Sequence, residues 1–360
     1  MSGRRQDPGG RPRLTLARRA SVMAASALAT LVIAVMVAAL GGLWAYTSPG
    51  PAARQGGQTT VILRHGAHLP EIAAQLEDAG VVRNGSMFVA AAQVTGAARQ
   101  LKAGEYAFPT HASLGQVLST IRQGKIVRHF ITIPEGLTSE QAVAILMNAD
   151  VLTGSAPIPP EGSLLPETYE VTRGTDRAAV LRRMTAAHDR LMAELWPKRR
   201  AGLPFRSPDE ALILASIVEK ETGLQSERPR VAAVFINRLQ KGVRLASDPT
   251  IIYGLTRGKP LGRGIRQSEL TEPTPYNTYL IDGLPPTPIC NPGRASIAAV
   301  LDPPQTGELY FVADGTGGHA FSSTFEQHQK NVERWRQIER QRAGQATPTP
   351  LRGEEANARR

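Results

Sequence analysis

An uncharged apolar segment near the N-terminus constrains the fold of this chain more than any other feature. No charged residue occurs between Ala20 and Ala53, and the stretch from Val22 to Tyr46 is almost entirely Ala, Val, Leu, Ile, Met and Gly. A segment of this length can cross a bilayer as a helix. We therefore predict a tail at 1–19, a transmembrane helix at 20–46 and a folded part beyond it.

The residues that flank this segment predict its orientation. Residues 1–19 carry six Arg and one Asp, so the positive-inside rule places the tail in the cytoplasm and the rest of the chain outside it. Trp44 and Tyr46 suit the outer interface. A cleaved signal peptide is the alternative, but the apolar run exceeds the usual hydrophobic core of such a peptide. We favour a retained single-pass anchor.

The net charge does not indicate a nucleic-acid partner. Of the formal charge of +11, the six Arg of residues 1–19 give a local +5, and residues 333–360 carry seven Arg against four acids. Little excess charge is left for residues 20–332, whereas phosphate binding needs a concentrated basic face. We expect no nucleic acid among the partners.

Motifs for metal and nucleophile chemistry are missing from the sequence. The seven His form no HExxH pattern, and the single cysteine, Cys290, has no paired spacing of a zinc site. There is no Gly-x-Ser-x-Gly motif and no Ser-x-x-Lys motif. We expect no metal and no cofactor, which leaves carboxylate chemistry.

The pattern beyond the anchor predicts an α+β fold with a repeated element. Gly, Pro and polar residues at 47–58 predict a flexible linker, and residues 341–360 predict a disordered tail. A shift of 70 residues aligns a strand-turn-helix unit, with the pairs Val61 and Ile131, Leu63 and Ile133, Gly66 and Gly136, and Leu76 and Leu146. A weaker correspondence occurs at a shift of 63, with the pairs Tyr106 and Tyr169, Val117 and Val180, and Leu118 and Leu181.

We predict three folded parts outside the membrane. Residues 59–128 form a small α/β subdomain with a strand-helix-helix-strand order that resembles a LysM-like carbohydrate-binding module. A spacer without binding function is the alternative. Residues 129–195 form the second repeat and connecting subdomain, and residues 196–340 form a mixed α+β catalytic domain rich in Pro, Gly, Tyr and Asn loops.

A helix predicted from Pro208 to Thr222 carries the main candidate for catalysis. Ser207 and Pro208 are favourable residues for a helix start. Leu214, Val218 and Glu221 lie at i, i+4 and i+7, so the buried stripe of the helix continues into a carboxylate. Burial and the negative end of the helix dipole both raise a carboxyl pKa, which predicts Glu221 as the acid.

A second glutamate in the same turn, Glu219, lies about 200° around the helix from Glu221. We keep it as a substrate-binding candidate, with a salt-bridged structural role as the alternative. Asn237 and Arg238 end the next predicted helix, where they can bind sugar hydroxyls or orient a carboxylate. Further candidates for a carbohydrate cleft lie in polar loops, although each also suits a turn: Asp248, Tyr276, Asn277, Tyr279 and Asn291.

Ordered motifs along this half resemble the endolytic murein transglycosylase family (YceG-like). The motifs are Ala215-Ser216-Ile217-Val218-Glu219-Lys220-Glu221-Thr222, Leu245-Ala246-Ser247-Asp248-Pro249-Thr250, Tyr276-Asn277-Thr278-Tyr279, Asn291-Pro292-Gly293 and Gly318-His319-Ala320-Phe321. The last adds His319 to the substrate-binding candidates. The resemblance implies cleavage inside peptidoglycan strands between N-acetylmuramic acid and N-acetylglucosamine, with a 1,6-anhydro end and Glu221 as the catalytic residue.

The same resemblance implies a place in the cell. The protein is expected in the bacterial inner membrane with its catalytic domain on the periplasmic side, near peptidoglycan polymerases whose strands it would shorten. Two alternatives to a lytic transglycosylase stay open. One is a muramidase-type hydrolase, in which Asp248 or Glu219 supplies the second carboxylate. The other is a non-catalytic glycan-binding scaffold.

Overall fold

A computed structural model describes residues 16–54 and 56–345 of the chain. These residues form a mixed α+β fold, as predicted, in two compact units: one up to Val127 and one from Arg128 onward. The predicted cytoplasmic tail falls largely outside the described residues. The C-terminal tail was predicted to be disordered from residue 341, but α-helical structure continues to Gln345, and residues 346–360 lie outside the described part of the chain.

The first unit begins with the apolar segment and continues into a small α/β fold. Its elements are α1 (Leu16–Thr47), β1 (Gln58–Leu63), α2 (Leu69–Asp78), α3 (Gly85–Val94), β2 (Gly104–Pro109) and α4 (Leu114–Gln123). β1 and β2 pair antiparallel, and Val61 and Leu63 of β1 face a core that contains Phe88, Tyr106 and Ile121. The strand-helix-helix-strand order agrees with the prediction for this region, whereas a LysM-like function stays a prediction.

The apolar helix α1 has the properties of a membrane anchor. Ala20–Thr47 is 28 residues long, with a mean hydropathy of 2.4 in its most apolar window. The large apolar side chains of this stretch, from Val22 to Trp44, are more than half exposed, which is expected when lipid rather than protein surrounds a helix. The helix is consistent with a single-pass anchor.

The segment after α1, predicted to be a flexible linker, is held by hydrogen bonds instead. The amide of Gly50 donates to the carbonyl of His111 at 3.1 Å, and the amide of His111 donates to Pro51 at 3.0 Å. The amide of Ala53 donates to the Thr110 hydroxyl at 3.1 Å. The Gly and Pro content suggested flexibility, but these partners about 60 positions away were not visible in the local sequence.

The second unit starts with a smaller version of the same arrangement. Its first elements are β3 (His129–Thr132), α5 (Ser139–Met147), β4 (Leu152–Thr153), β5 (Thr168–Val171), β6 (Thr175–Asp176) and α6 (Arg177–Leu195). β3 pairs antiparallel with β5, and β4 pairs parallel with β6. Ile131, Leu146 and Met184 belong to one hydrophobic cluster of these elements.

Equivalent positions of the predicted repeat have equivalent environments. Helices α2 and α5 begin 70 residues apart, and Leu76 and Leu146 are both fully buried. The second correspondence is also supported, because the Tyr106 hydroxyl donates to the carbonyl of Lys102 at 2.8 Å and the Tyr169 hydroxyl donates to Leu165 at 2.6 Å. Each tyrosine therefore closes the same bond to the carbonyl four residues earlier.

The remaining elements of the second unit surround a helical core. They are α7 (Pro208–Glu221), α8 (Arg228–Gln240), α9 (Asp248–Thr256), α10 (Gln267–Thr271), α11 (Arg294–Leu301), β7 (Tyr310–Ala313), β8 (His319–Ser322) and α12 (Phe325–Gln345). β7 and β8 form an antiparallel pair. Every residue of α7 from Ala211 to Val218 is buried, so α7 is the central helix and its last turn is fixed in position.

Candidate active site

Glu221 is the last residue of α7, at the point where the buried helix reaches a partly exposed surface. The helix begins as the sequence predicts, because the Ser207 hydroxyl accepts from the amide of Glu210 at 3.3 Å and Pro208 occupies the first turn. The buried stripe of Leu214 and Val218 then leads to Glu221. The core packing of α7 therefore sets the position of this carboxyl group.

Ser247 makes the one side-chain hydrogen bond to Glu221 found in the described part of the chain. Its hydroxyl donates to Glu221 Oε1 at 2.5 Å. Ser247 is 1 % exposed and occupies the N-cap of α9, yet its side chain makes no capping bond to that helix. A serine in this position usually caps its own helix, so the hydroxyl has been diverted to the carboxyl group.

The backbone around Ser247 is held by a network of threonines. The Ser247 amide donates to the Thr278 hydroxyl at 2.9 Å, and the Thr250 hydroxyl donates to the Ser247 carbonyl at 2.7 Å. Thr250 and Thr278 are both completely buried. The orientation of the Ser247 hydroxyl toward Glu221 is therefore preorganised.

The environment of Glu221 favours its neutral form. Burial raises the pKa of Glu221 to about 7, and the Asp248 carboxylate acts in the same direction, while the Ser247 hydroxyl, His319 and Arg238 partly oppose it. Burial is thus the dominant cause, as predicted from the helix pattern. A carboxyl group with this pKa can donate a proton and later accept one near neutral pH.

Asp248 and Tyr279 form a hydrogen-bonded pair beside Glu221. The Tyr279 hydroxyl donates to Asp248 Oδ1 at 2.7 Å, and Asp248 is exposed. Burial and the bond to Asp248 raise the pKa of Tyr279, so it stays a neutral donor. The structure therefore brings together three of the predicted site residues: Glu221, Asp248 and Tyr279.

Arg238 is close enough to interact electrostatically with Glu221, and two of its N–H groups donate to the backbone. Its guanidinium donates to the carbonyls of Leu309 and Leu245, each at 2.6 Å. Asn237 likewise donates to the carbonyls of Thr306 and Glu308, both at 2.9 Å. Both residues therefore position the loops that surround the site, and Arg238 holds the backbone two residues before Ser247.

His319 approaches the site from β8 and is paired with Glu227. Its Nδ1 lies 2.7 Å from Glu227 Oε2, and its amide donates to Glu227 Oε1 at 2.8 Å. Burial acts to raise the pKa of Glu227, but these bonds from His319 outweigh it, so that pKa is lowered. The ionised Glu227 fixes the imidazole through Nδ1.

Glu219 lies in an ion-pair cluster and not beside Glu221 in the site. The Arg228 guanidinium donates to Glu219 Oε1 and to Glu135 Oε2, both at 2.9 Å, and the Glu219 side chain is 4 % exposed. The other oxygen of Glu219 accepts from the amide of Gly293 at 2.9 Å. Both oxygens are engaged, which favours the structural alternative for Glu219 over substrate binding.

Three other predicted binding residues are buried, and their hydrogen bonds stabilise loops. Asn277 is 1 % exposed and donates to the carbonyl of Glu272 at 2.8 Å. Asn291, also 1 % exposed, accepts from the amide of Leu164 at 3.0 Å and donates to the Leu137 carbonyl at 3.1 Å. Tyr276 is 7 % exposed, and its hydroxyl shares a 2.7 Å hydrogen bond with that of Thr287. These side chains shape the loops rather than face a ligand.

Two residues of the arrangement were not among the sequence candidates. Ser247 lies in the Ser-Asp-Pro start of α9, and that pattern normally indicates a helix cap. Glu227 lies just before α8 and reaches His319 across 92 positions. No local pattern reports either contact, because each joins segments far apart in the chain.

Comparison with known proteins finds relatives over most of the chain. The sequence model of the YceG-like family matches residues 61–334 of the chain. An endolytic murein transglycosylase of Streptococcus pneumoniae is 29 % identical over 322 residues, with 76 % of this chain and 57 % of that protein covered. A protein of the same description from Bacillus subtilis is 33 % identical over 190 residues, with 52 % of this chain and 51 % of that protein covered.

A solved structure is also similar. The 2.6 Å crystal structure of a YceG-like protein from Listeria monocytogenes has 31 % sequence identity and a TM-score of 0.47, and the match covers 76 % of this chain and 98 % of that one. The chain spans about half the length of the curated relatives it matches. The family match extends over most of the chain, from the first strand to the last helix, and the chain belongs to the YceG-like family.

Proposed function

We propose that this protein is an endolytic peptidoglycan lytic transglycosylase with Glu221 as its acid and base. The observation that carries the proposal is a partly buried carboxyl group with a pKa of about 7 and a fixed hydroxyl donor. The names of the Streptococcus and Bacillus relatives support the substrate class. The expected cleavage is at the bond between N-acetylmuramic acid and N-acetylglucosamine inside a strand.

In the proposed reaction Glu221 acts twice. Its carboxyl proton moves to the glycosidic oxygen as the bond to C1 of the muramoyl residue breaks. The resulting carboxylate then takes the proton of the C6 hydroxyl of the same sugar, as that oxygen bonds to C1 and closes the 1,6-anhydro ring. The proton count is restored and no water is consumed.

The surroundings of Glu221 leave one candidate for a second carboxylate. Hydrolysis usually needs such a group to activate water or to form a glycosyl intermediate, and Glu219 is engaged by Arg228 and Gly293. Asp248 is the remaining candidate, because it is exposed and near Glu221. A muramidase-type hydrolase that uses Asp248 is therefore the second candidate function.

We place the protein in the bacterial inner membrane as a single-pass protein with residues 1–19 in the cytoplasm. The helix at Ala20–Thr47 supports the anchor, and the basic residues before it support the orientation. The second unit would then act on strands on the periplasmic side as polymerases extend them, and would limit strand length. The first unit would be a LysM-like module, with a spacer without binding function as the alternative.

The test is mass spectrometry of muropeptides released from purified peptidoglycan sacculi by the full chain in detergent micelles. Glu221→Gln removes the acidic proton of the carboxyl group at nearly constant size. Glu219→Gln is the matched control, because it changes the same residue type two positions away, in the ion-pair cluster. Circular dichroism of both variants checks that each is folded.

We expect anhydro ends from the parent and from Glu219→Gln, and none from Glu221→Gln. Reducing ends from the parent would instead indicate the hydrolase. Binding of sacculi without cleavage by any of the three proteins would indicate a scaffold and would overturn the proposal.

A further inference from the structure

The outer end of α1 is joined rigidly to the first unit. The ring of Tyr46 lies over Gly115 of α4 so closely that a Cβ atom at Gly115 would be 2.6 Å from it. The next residues are fixed by the hydrogen bonds of Gly50 and Pro51 to His111. Because of these contacts, the depth of α1 in a membrane also fixes the height of the first unit above it.

The length of α1 places its end at the membrane surface. The 28 residues of Ala20–Thr47 span about 42 Å at 1.5 Å per residue, whereas the hydrocarbon core is about 30 Å thick. The last turns therefore extend into the headgroup region. Trp44 is 71 % exposed, and exposed Trp is typical of that depth.

Helix α3 begins beside Trp44. A cavity of about 290 Å³ is lined by Trp44, Pro49 and Pro51 on one side and by Arg83, Asn84 and Met87 on the other. The Arg83 guanidinium also donates to the carbonyl of Pro49 at 3.3 Å. The start of α3 is thus at the same end of the first unit as the outer end of the anchor.

The outer face of α3 has the composition of a membrane-facing surface. No charged residue occurs between Asn84 and Ala98, although the helix is exposed on one side. Met87 is 46 % exposed and Val94 is 88 % exposed, and together with exposed Ala90 they lie at i, i+3 and i+7 on one face. The opposite face, with Phe88 and Ala92, is fully buried.

Two arginines flank this uncharged helix. Arg83 precedes α3 and Arg99 follows it, and both are exposed. An apolar face bounded by cationic side chains is complementary to a lipid surface, where acyl chains meet phosphate groups. Trp44 of the lipid-exposed helix α1 and the start of α3 line the same cavity. A surface that binds a protein partner has no need to lie beside a membrane helix, so this position favours lipid as the partner of α3.

We propose that α3 is a second membrane contact, with Met87, Ala90 and Val94 in the headgroup-acyl boundary and Arg83 and Arg99 beside lipid phosphates. The first unit then rests on the bilayer and does not move freely on a linker. This inference depends on α1 being the anchor and is independent of the proposed enzyme activity.

The test uses nitroxide labels on the full chain in lipid nanodiscs. The single cysteine, Cys290, is buried and is replaced by Ala, after which one cysteine is introduced as Met87→Cys or Val94→Cys. Ile62→Cys is the matched control: Ile62 is 50 % exposed in the same unit, but it points away from the core that its neighbours Val61 and Leu63 enter.

The readout is the accessibility of each label to oxygen, which concentrates in lipid, and to a water-soluble nickel complex. We expect the labels at positions 87 and 94 to favour oxygen and the label at position 62 to favour nickel. Equal preference at 62 and 94 would overturn the proposal. Protection from both reagents at 94 would also overturn it, because a second protein chain would then cover the face.

The arginine contribution has its own measurement. Arg99→Gln is expected to shift the label at position 94 toward nickel accessibility in nanodiscs that contain anionic lipid. An unchanged ratio of oxygen to nickel accessibility would show that Arg99 makes no phosphate contact, and that contact would be removed from the proposal.

Discussion

Replacement of Glu221 by Gln is expected to stabilise the protein at neutral and alkaline pH while it abolishes catalysis. The folded state holds the carboxyl group with a pKa of about 7, whereas the ordinary value is 4.5. Between these two pH values the folded state binds more protons than the unfolded state, so the stability of the parent falls as pH rises. Gln does not titrate, and its side chain has no such pH dependence.

The expected magnitude follows from the two pKa values of Glu221. They differ by about 2.5 pH units, and each unit corresponds to about 1.4 kcal/mol. The parent should therefore lose about 3 kcal/mol relative to Glu221→Gln between pH 4 and pH 8. The two proteins should differ least near pH 4, where the glutamate is protonated in both states.

The assay is urea unfolding of the full chain in detergent micelles, followed by tryptophan fluorescence at several pH values. Glu326→Gln is the control, because it is the same substitution at an exposed glutamate outside the site, which pairs with the exposed Lys330 on the surface of α12. A constant difference between the parent and Glu221→Gln from pH 4 to pH 8 would refute the reasoning. So would a parent that gains stability relative to the variant as pH rises.

Three further changes separate the roles of neighbouring residues. Ser247→Ala removes a hydrogen bond that lowers the pKa of Glu221. Since hydrogen bonds to charged groups are worth about 1.5–3 kcal/mol, the alkaline limb of the pH profile of kcat/KM should move up by about 1–2 pH units. An unmoved limb would exclude the effect of Ser247 on the pKa of Glu221. Arg228→Met leaves the buried Glu219 unpaired and should lower the free energy of unfolding, measured in urea, by about 3–5 kcal/mol. A decrease under about 1 kcal/mol would mean that the pair does not stabilise the fold. Asp248→Asn should still release anhydro ends, and complete loss of cleavage would favour the hydrolase.

Local patterns in the sequence predicted α7 closely but missed α9: Asp248 was expected in a polar loop, whereas it is the first residue of the helix Asp248–Thr256. The start of α7 was visible because Ser207 and Pro208 are residues that begin helices, and the structure has the helix at Pro208–Glu221. The stripe of Leu214 and Val218 predicted a partly buried Glu221. These features depend on neighbours within two turns, which the sequence displays directly.

Contacts between distant segments could not be predicted in the same way. The Ser247 hydroxyl reaches Glu221 across 26 positions, whereas the local pattern assigns it to the cap of α9. Asn291 connects to Leu164 across 127 positions. An exposed amide that binds sugar and a buried amide that supports a loop have the same local sequence, so only the tertiary structure separates them.

The ability of Glu221 to donate a proton depends on how its neighbours use their charges. Glu219 has the Arg228 guanidinium at 2.9 Å, so its negative charge is paired within the protein. In the described part of the chain no cation forms an ion pair with Glu221, although Arg238 is nearby, because Arg238 donates to the carbonyls of Leu309 and Leu245. The backbone bonds of Arg238 therefore hold its guanidinium on the loops, and its charge acts on Glu221 only through space, where it partly opposes the effect of burial.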